Sequence, residues 1–130
     1  MVKIDLDLKP GDAALAPDAA LALYRAAQEG LTNALRHGAA DRLRLALRRD
    51  GAEMLLVVED NGRGLAPDWS ERPGHHGLRW MAERVHALQG RFAIGPAPLQ
   101  GVRLSIAVPI AAAAPATPAA AALASMPGAA

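Results

Sequence analysis

The chain has 130 residues and a formal net charge of +1; 52% of its residues are apolar and only 3% are aromatic. That length suits one domain with a single core, and the near-neutral charge gives no broad field for nucleic acid or an anionic membrane. The chain has no cysteine, which excludes disulfides and thiolate metal sites, and no apolar run reaches the roughly 20 residues that span a bilayer. We therefore expect a soluble, cytoplasmic domain that does not bind nucleic acid.

A strand and a long helix are predicted first. Residues 2–8 alternate between apolar and polar side chains, which indicates a half-buried strand. A helix is predicted to begin at Pro17-Asp18, where the N–H that proline lacks would be unpaired anyway, and to run to about Arg36. Its broad apolar face would carry Leu21, Tyr24, Ala27, Leu31 and Leu35.

Three polar residues of this helix recur every four positions. Glu29, Asn33 and His37 stand at i, i+4 and i+8 and therefore share one side of the helix. Asparagine is a mediocre helix former, so Asn33 has either a polar function or an exposed position. These residues alone leave two interpretations open, a solvated stripe and a functional one.

A hairpin is predicted next, and its second strand ends in an acid. Residues 42–49 alternate, Asp50-Gly51 is typical of a two-residue turn, and residues 52–59 form the returning strand. Asp60 then stands at the strand end, followed by Gly62 and Gly64. Glycine permits positive φ and the close approach of a flat ligand. The same residues also suit an ordinary turn, so both interpretations stay open here.

A loop and a second helix follow. Residues 63–76 contain several prolines and glycines and predict a loop long enough to act as a lid, in which Trp69 either pins the loop to the body or stacks on a ligand. Residues 77–89 predict a helix that ends at Gly90. Its N-terminus could receive an anion such as phosphate. Its buried stripe would be Leu78, Met81, Val85 and Leu88.

Two closing strands are predicted at residues 92–94 and 102–108, and the composition changes after Pro109. We assign residues 1–109 to the folded domain and residues 110–130, which are rich in alanine and proline, to a disordered tail. The order β-α-β-β-lid-α-β-β favours an α+β two-layer sandwich, with helices covering one face of the sheet.

Four segments, in this order and spacing, resemble those of bacterial sensor histidine kinases. The last comprises the helix that ends at Gly90 and the strand of residues 102–109, which close the domain as in that family. Residues 28–37 resemble the N box, and residues 60–64 are similar to the first glycine box, Asp-x-Gly-x-Gly. Residues 76–84 resemble the second glycine box and the helix behind it. The Gly-Leu-Arg-x-Met-x-Glu-Arg run is most similar to the nitrate/nitrite-sensor branch, and the resemblance covers roughly residues 18–109.

The resemblance implies a Bergerat-type ATP-binding fold with a mixed, mostly antiparallel sheet, and the activity of a histidine kinase catalytic domain. It implies that Asp60 accepts the adenine amino group, and that Asn33 holds Mg²⁺ through its side-chain oxygen. Glu29 is implied as a base or as a group that orients a metal-bound water. The other ATP-binding residues that the resemblance implies are Arg36, His37, Gly62, Gly64, Gly77 and Leu78.

The chain departs from this branch at several points. Trp80 replaces a small or aliphatic residue, Val102 replaces a threonine that supports the acid and the base, and the second glycine box has few glycines. None of the four histidines is followed by the acid that marks the phosphate acceptor. We therefore expect an isolated, monomeric domain that binds Mg·ATP and acts on a separate dimerisation and acceptor domain, through which it serves a response regulator. Two alternatives remain: a non-catalytic nucleotide-binding module, and an anti-sigma-factor-type serine kinase.

Overall fold

The computed structural model describes residues 2–12, 14–36, 39–64, 76–98 and 100–110. The predicted succession of elements is confirmed. In chain order the elements are β1 (Lys3–Lys9), α1 (Pro17–Arg36), β2 (Arg42–Asp50), β3 (Glu53–Asp60), α2 (His76–Ala87), β4 (Arg91–Pro96) and β5 (Val102–Pro109).

The five strands form one sheet in the order β1-β2-β3-β5-β4. β1 and β2 run parallel because α1 carries the chain back between them. Every other neighbouring pair is antiparallel. The mixed, mostly antiparallel sheet predicted from the sequence is therefore confirmed.

Alternation along the central strands separates a helix-covered face from a polar one. Met54, Leu56 and Val58 of β3 are almost fully buried in the main core together with Ile106 of β5 and Val85 of α2. The buried stripe predicted for the second helix is confirmed for Leu78, Met81 and Val85, which are at most 1% exposed. Leu88 follows the end of α2 and is partly buried against the core.

The opposite face of the sheet carries a line of charges. Arg44 of β2 lies 3.7 Å from Asp7 of β1 and 3.6 Å from Glu59 of β3, and Arg103 of β5 lies 3.3 Å from Glu59. These partly exposed pairs contribute little to stability. The same face also carries Val57 and Ala107, which are 7% and 3% exposed. Both helices pack on the other face, so the structure is a two-layer sandwich with its helices on one side.

The apolar face predicted for α1 is wrong at three of its five residues; the other two, Ala27 and Leu31, are partly buried against the core. Leu21, Tyr24 and Leu35 are 47%, 60% and 47% exposed. The buried residues are instead mostly small, namely Ala19, Ala22, Leu23, Ala26 and Ala34. Small side chains let the helix axis approach the sheet closely, and at Gly30 a Cβ atom would lie 3.0 Å from Cγ1 of Val58. Proximity to the sheet, rather than side-chain size, decides which face of α1 is buried.

The prediction that β1 is half-buried is also wrong. Ile4, Leu6 and Leu8 are 47%, 64% and 54% exposed. Their partners on β2 are Leu43, Leu45 and Leu47, which face the helices, so the apolar side of β1 lies on the helix side as well. Within the described residues, however, neither helix lies over this edge strand.

Some predicted features lie outside the described residues. They are His37, Gly38, residues 65–75 of the predicted lid with Trp69, and residues 111–130 of the predicted tail. Ile110 is described, and its amide donates to the carbonyl of Ala52 at 2.8 Å. In the described part of the chain, no helix combines the length and apolar character needed to cross a membrane.

Candidate functional site

Asp60 occupies the last position of β3, and its side chain is held by two main-chain donors. Oδ1 accepts from the amide of Gly62 at 2.8 Å and from the amide of Val102 at 3.3 Å. Both bonds use the same oxygen, so Oδ2 has no donor among the residues the structure describes. Asp60 shares the helix side of β3 with Val58, because side chains alternate along a strand. The site thus presents one oriented carboxylate oxygen beside the helical layer.

Glycine residues lie next to the Asp60 carboxylate. Gly62 is buried, and Gly64 adopts a φ of 86°, in the left-handed region that disfavours other residues. Gly101, at φ 87°, packs directly on Asp60, where a Cβ atom would collide with the Asp60 carbonyl and carboxylate oxygens. Gly101 therefore lets the backbone before β5 pack on Asp60, while Gly62 and Gly64 place no side chain on the loop that follows it.

Asn61 fixes the loop on which these glycines lie. Its Oδ1 accepts from the amides of Asp41 and Arg42 at 3.1 and 3.0 Å, and its Nδ2 donates to the Asp41 carboxylate at 2.8 Å. These bonds tie the end of β3 to the beginning of β2. Asn61 therefore positions the backbone that follows Asp60.

A second cluster joins the two helices. Nδ2 of Asn33 lies 3.4 Å from Oε2 of Glu29, a long hydrogen bond across one helical turn. The Glu29 carboxylate also lies against Gly77, where any side chain would overlap it. Because α2 has no acidic residue in its own first turn, Glu29 of α1 supplies the carboxylate at its positive end. The structure thus brings Glu29, Asn33 and Gly77 together.

Asn33 carries a polar atom without a partner. Its Oδ1 is buried and has no hydrogen bond within the described part of the chain. A buried amide oxygen beside a carboxylate suits a hard cation, so Asn33 and Glu29 fit Mg²⁺. No group of three or more His, Asp or Glu side chains among the described residues could hold a metal ion alone.

The remaining predicted residues have distinct environments. Arg36 is exposed in the last turn of α1, seven residues after Glu29 and so on the same flank of the helix. His37 lies outside the described residues. The side chain of Leu78 is 1% exposed in the core, which leaves only its main chain for a ligand. Its N–H lies in the first turn of α2, where amides have no acceptor within the helix.

The structure also describes Val102 and Trp80, two positions at which the chain departs from the related branch. The amide of Val102, rather than a threonine hydroxyl, reaches Asp60, so part of the support for the acid is retained by the main chain. Trp80 is 47% exposed on α2, and the guanidinium carbon of Arg84 lies 5.5 Å from the centroid of its ring. It therefore faces solvent rather than the core.

Sequence reasoning missed Gly101 and Asn61. Gly101 directly precedes Val102, the position that the resemblance places beside Asp60. A glycine at that point indicates close packing of the backbone. Asparagine after a strand often bonds to nearby main chain, which was the signal for Asn61. Their partners, Asp60 and residues 41 and 42, become visible only in three dimensions.

Comparison with known proteins gives a consistent result. The sequence profile of the family described as histidine kinase-, DNA gyrase B-, and HSP90-like ATPase matches residues 18–112. The chain is 36% identical over 104 residues to the signal transduction histidine-protein kinase/phosphatase UhpB of Salmonella typhimurium, which covers 80% of the chain and 20% of UhpB. It is 34% identical over 90 residues to the nitrate/nitrite sensor protein NarX of Escherichia coli, covering 68% of the chain and 14% of NarX. The chain spans a fifth or less of the length of these two relatives.

Solved structures show the same fold. The ATP-binding domain of PrrB from Mycobacterium tuberculosis superposes with a TM-score of 0.60 at 24% identity, over 82% of this chain and 80% of that one. The histidine kinase domain of a blue-light-activated kinase from Erythrobacter litoralis gives a TM-score of 0.62 at 25% identity, over 82% of this chain and 52% of that one.

Proposed function

Because this chain belongs to the histidine kinase-, DNA gyrase B- and HSP90-like ATPase family, we propose that it binds Mg·ATP and transfers the γ-phosphoryl group to a histidine of a separate domain. That domain would be the dimerisation and acceptor domain of a sensor kinase with a cytoplasmic catalytic part. The single observation that carries the proposal is a pair of clusters on the helix side of the sheet. One is the oriented Asp60 carboxylate among glycines, and the other is the unpartnered Asn33 oxygen beside Glu29.

Asp60 would select the base. A carboxylate only accepts hydrogen bonds, so Oδ2 pairs with the amino group of adenine and rejects the carbonyl that guanine has in its place. The amides of Gly62 and Val102 hold the carboxylate in one orientation before the base arrives. Gly62 and Gly64 would leave space for the ring and the ribose, while Gly101 would allow the backbone before β5 to pack on Asp60.

The triphosphate would be held by residues at the end of α1 and by the first turn of α2. The α1 residues are Asn33, Arg36 and His37. Bound at Asn33 Oδ1, Mg²⁺ would neutralise phosphate charge and orient the phosphates. The Gly77 and Leu78 amides at the positive end of α2 would donate to phosphate oxygens. Phosphoryl transfer depends mainly on such positioning and charge neutralisation.

Glu29 would accept the proton in the transfer step. The acceptor imidazole nitrogen forms a bond to the γ-phosphorus while the bond to the bridging oxygen breaks, and ADP leaves with that oxygen. The ring proton passes to the Glu29 carboxylate, one helical turn from Asn33. An alternative role for Glu29 is to orient a metal-bound water.

The test is calorimetric titration of ATP with and without Mg²⁺. We expect the unmutated chain to bind ATP. Asp60→Asn should raise the Kd for ATP by about tenfold to a hundredfold. The new amide places a donor against the adenine amino group and leaves a buried polar group unpaired. Asp12→Asn, at an exposed acid in a turn, is the matched control and should bind normally. If the unmutated chain does not bind ATP, the proposal is wrong.

A second experiment separates the kinase from a non-catalytic nucleotide-binding module, the alternative that Val102 favours. Labelled ATP is incubated with the chain and the acceptor domain of its own kinase. Acid-labile label on the acceptor histidine supports transfer, whereas ATP binding without label supports the module. Label on a serine of a partner protein would instead indicate the serine-kinase alternative.

A further inference from the structure

A pocket of about 220 Å³ lies beside the end of β3. Its walls come from β1, from β2 and from Ala97 and Pro98, in the segment that joins β4 to β5. Pockets that take drug-sized ligands usually measure roughly 300–1,000 Å³. This pocket is smaller, so a compact molecule fits it better than a nucleotide does.

The pocket opens on the face of the sheet opposite the helices, whereas the candidate nucleotide site lies on the helix side. Arg44 and Glu59 line the pocket and pair with each other across that face. Arg42 shares the face with Arg44, because side chains two positions apart in a strand point the same way. The Asp60 carboxylate lies on the helix side of β3. The pocket therefore reaches the strand end that carries Asp60 from behind.

Two charged side chains on this side of the pocket, Arg42 and Asp5, have no ion pair within the described ranges. Arg44 and Glu59 neutralise each other at 3.6 Å, whereas no opposite charge lies within ion-pair distance of Arg42 or Asp5. In the parallel register of β1 and β2, Asp5 is level with Arg44 and Lys3 is level with Arg42. The Cα atoms of Arg42 and Asp5 are therefore roughly 8 Å apart. A cation and a carboxylate at this separation can bind opposite charges of one small molecule.

The wall formed by Ala97 and Pro98 is apolar and is held in place. The Ala97 amide donates to the Gly101 carbonyl at 3.2 Å, and the Gln100 amide donates to the Ala97 carbonyl at 3.1 Å. Gly101 in turn packs directly on Asp60. The turn is thereby fixed to the end of β3, so the pocket has one apolar wall and one wall that carries both charges.

We propose that this pocket is a second ligand site, separate from the nucleotide site, and that it binds a small α-amino acid with an apolar side chain. The Arg42 guanidinium would bind the α-carboxylate, with which it can form two parallel hydrogen bonds. The Asp5 carboxylate would accept hydrogen bonds from the α-ammonium group, and the apolar side chain would pack on Ala97 and Pro98. Because Arg42 and Asp5 are exposed, solvent screens both ion pairs, and the Kd falls in the millimolar range.

The experiment is an NMR titration of the isotope-labelled chain with L-valine, without nucleotide. We expect saturable shifts of the Ala97 and Asn61 amide signals, with a millimolar Kd. Isovalerate lacks the ammonium group of valine, and isobutylamine lacks its carboxylate. Each should bind about threefold to fivefold more weakly than valine, as expected for the loss of one exposed ion pair.

Variants of the two charged residues test the same contacts from the protein side. Arg42→Gln and Asp5→Asn should each raise the Kd for valine about threefold to fivefold, and the effect should shrink as ionic strength rises. Arg48→Gln is the matched control, because Arg48 is exposed on the same face of β2 but does not line the pocket; its Kd for valine should equal that of the unmutated chain. Circular dichroism melts verify that each variant is folded.

Calorimetry with ATP separates the two sites. Arg42→Gln should bind ATP as the unmutated chain does, because its side chain lies on the face of the sheet away from the Asp60 carboxylate, so a loss of ATP affinity in this variant would contradict a separate site. The amino-acid site would also be overturned by the absence of saturable shifts up to about 100 mM valine, by equal binding of valine and isovalerate, or by an equal loss in Arg48→Gln.

Discussion

At the scale of single residues, the side chains of Asp60 and Asn33 differ in how many of their hydrogen bonds are formed within the nucleotide-free protein. Asp60 has two main-chain donors and is oriented before any ligand binds. Asn33 keeps a buried oxygen with no donor in the described structure, a state that costs stability unless a ligand completes it. Asp60 is therefore preorganised, whereas Asn33 keeps a free acceptor oxygen that a cation can bind.

Asn33→Ala is therefore expected to stabilise the nucleotide-free protein while removing metal binding. Loss of an unsatisfied acceptor and the higher helix propensity of alanine together contribute about 0.5–1.5 kcal/mol. Thermal melts should show a higher Tm without ligand and no additional rise when Mg²⁺ accompanies ATP. Thr32→Ala, at an exposed neighbour, should keep the full Mg²⁺-dependent rise. A lower Tm in Asn33→Ala would contradict this account of the buried oxygen.

Gly77→Ala is expected to change activity more than stability. The new methyl group overlaps only the end of the Glu29 side chain, which is flexible and can move away. The free energy of unfolding should change by less than about 1 kcal/mol, while the rate of transfer to the acceptor falls because Glu29 has moved. Denaturant titration and a phosphotransfer assay on the same preparation measure the two effects. Unchanged transfer would show that the position of Glu29 against Gly77 is not needed.

At the scale of elements, α1 is organised by small residues rather than by large apolar ones. Ala22, Ala26, Gly30 and Ala34 recur every four positions and form a flat face. By contrast, about half or more of the surface of Leu21, Tyr24 and Leu35, which suggested a core face, is exposed. Periodicity correctly predicted that the helix exists and where it ends. It did not identify the buried face, because alanine and glycine carry a weak hydrophobic signal and gain burial only through close packing.

Gly30→Leu tests this close packing. Val58 lies where a side chain at residue 30 would begin, so the larger residue must push α1 away from the sheet. We expect a loss of about 3 kcal/mol in the free energy of unfolding. Ala20→Leu, on an exposed position of the same helix, should change stability by less than about 0.5 kcal/mol. Similar midpoints for the two variants in urea would contradict the packing argument.

Gly95 of β4 and Gly101, which directly precedes β5, offer a second matched pair. Gly101→Ala would combine a strained φ with a collision against Asp60 backbone, whereas at Gly95 a Cβ atom meets nothing within 4 Å. We expect Gly101→Ala to cost about 2–4 kcal/mol and to abolish ATP binding. Gly95→Ala should do neither, as melts and calorimetry with ATP can establish. ATP binding that survives in Gly101→Ala would remove this glycine from the candidate site.

At the scale of the whole molecule, the sequence predicted the order of elements, the mixed sheet and the family. It also predicted that Glu29 lies beside Asn33. Three features depended on distances between remote segments: Gly101 against Asp60, Glu29 against Gly77, and the amide of Val102 in place of a hydroxyl. A sequence pattern reports spacing along one element, but contacts between elements depend on how closely they pack.

The side of β1 over which neither described helix lies determines how the isolated domain should behave in concentrated solution. An edge strand with exposed leucines and unpaired main-chain groups can add to the same strand of another molecule. Leu6 is the most exposed of these residues, at 64%, so Leu6→Lys should leave the melting temperature nearly unchanged. It should also raise the concentration at which light scattering first detects association, whereas Leu56→Lys, at a position 3% exposed, should unfold the domain. The apolar edge would thus limit colloidal stability without contributing to folding stability, and a charge there would separate these two properties.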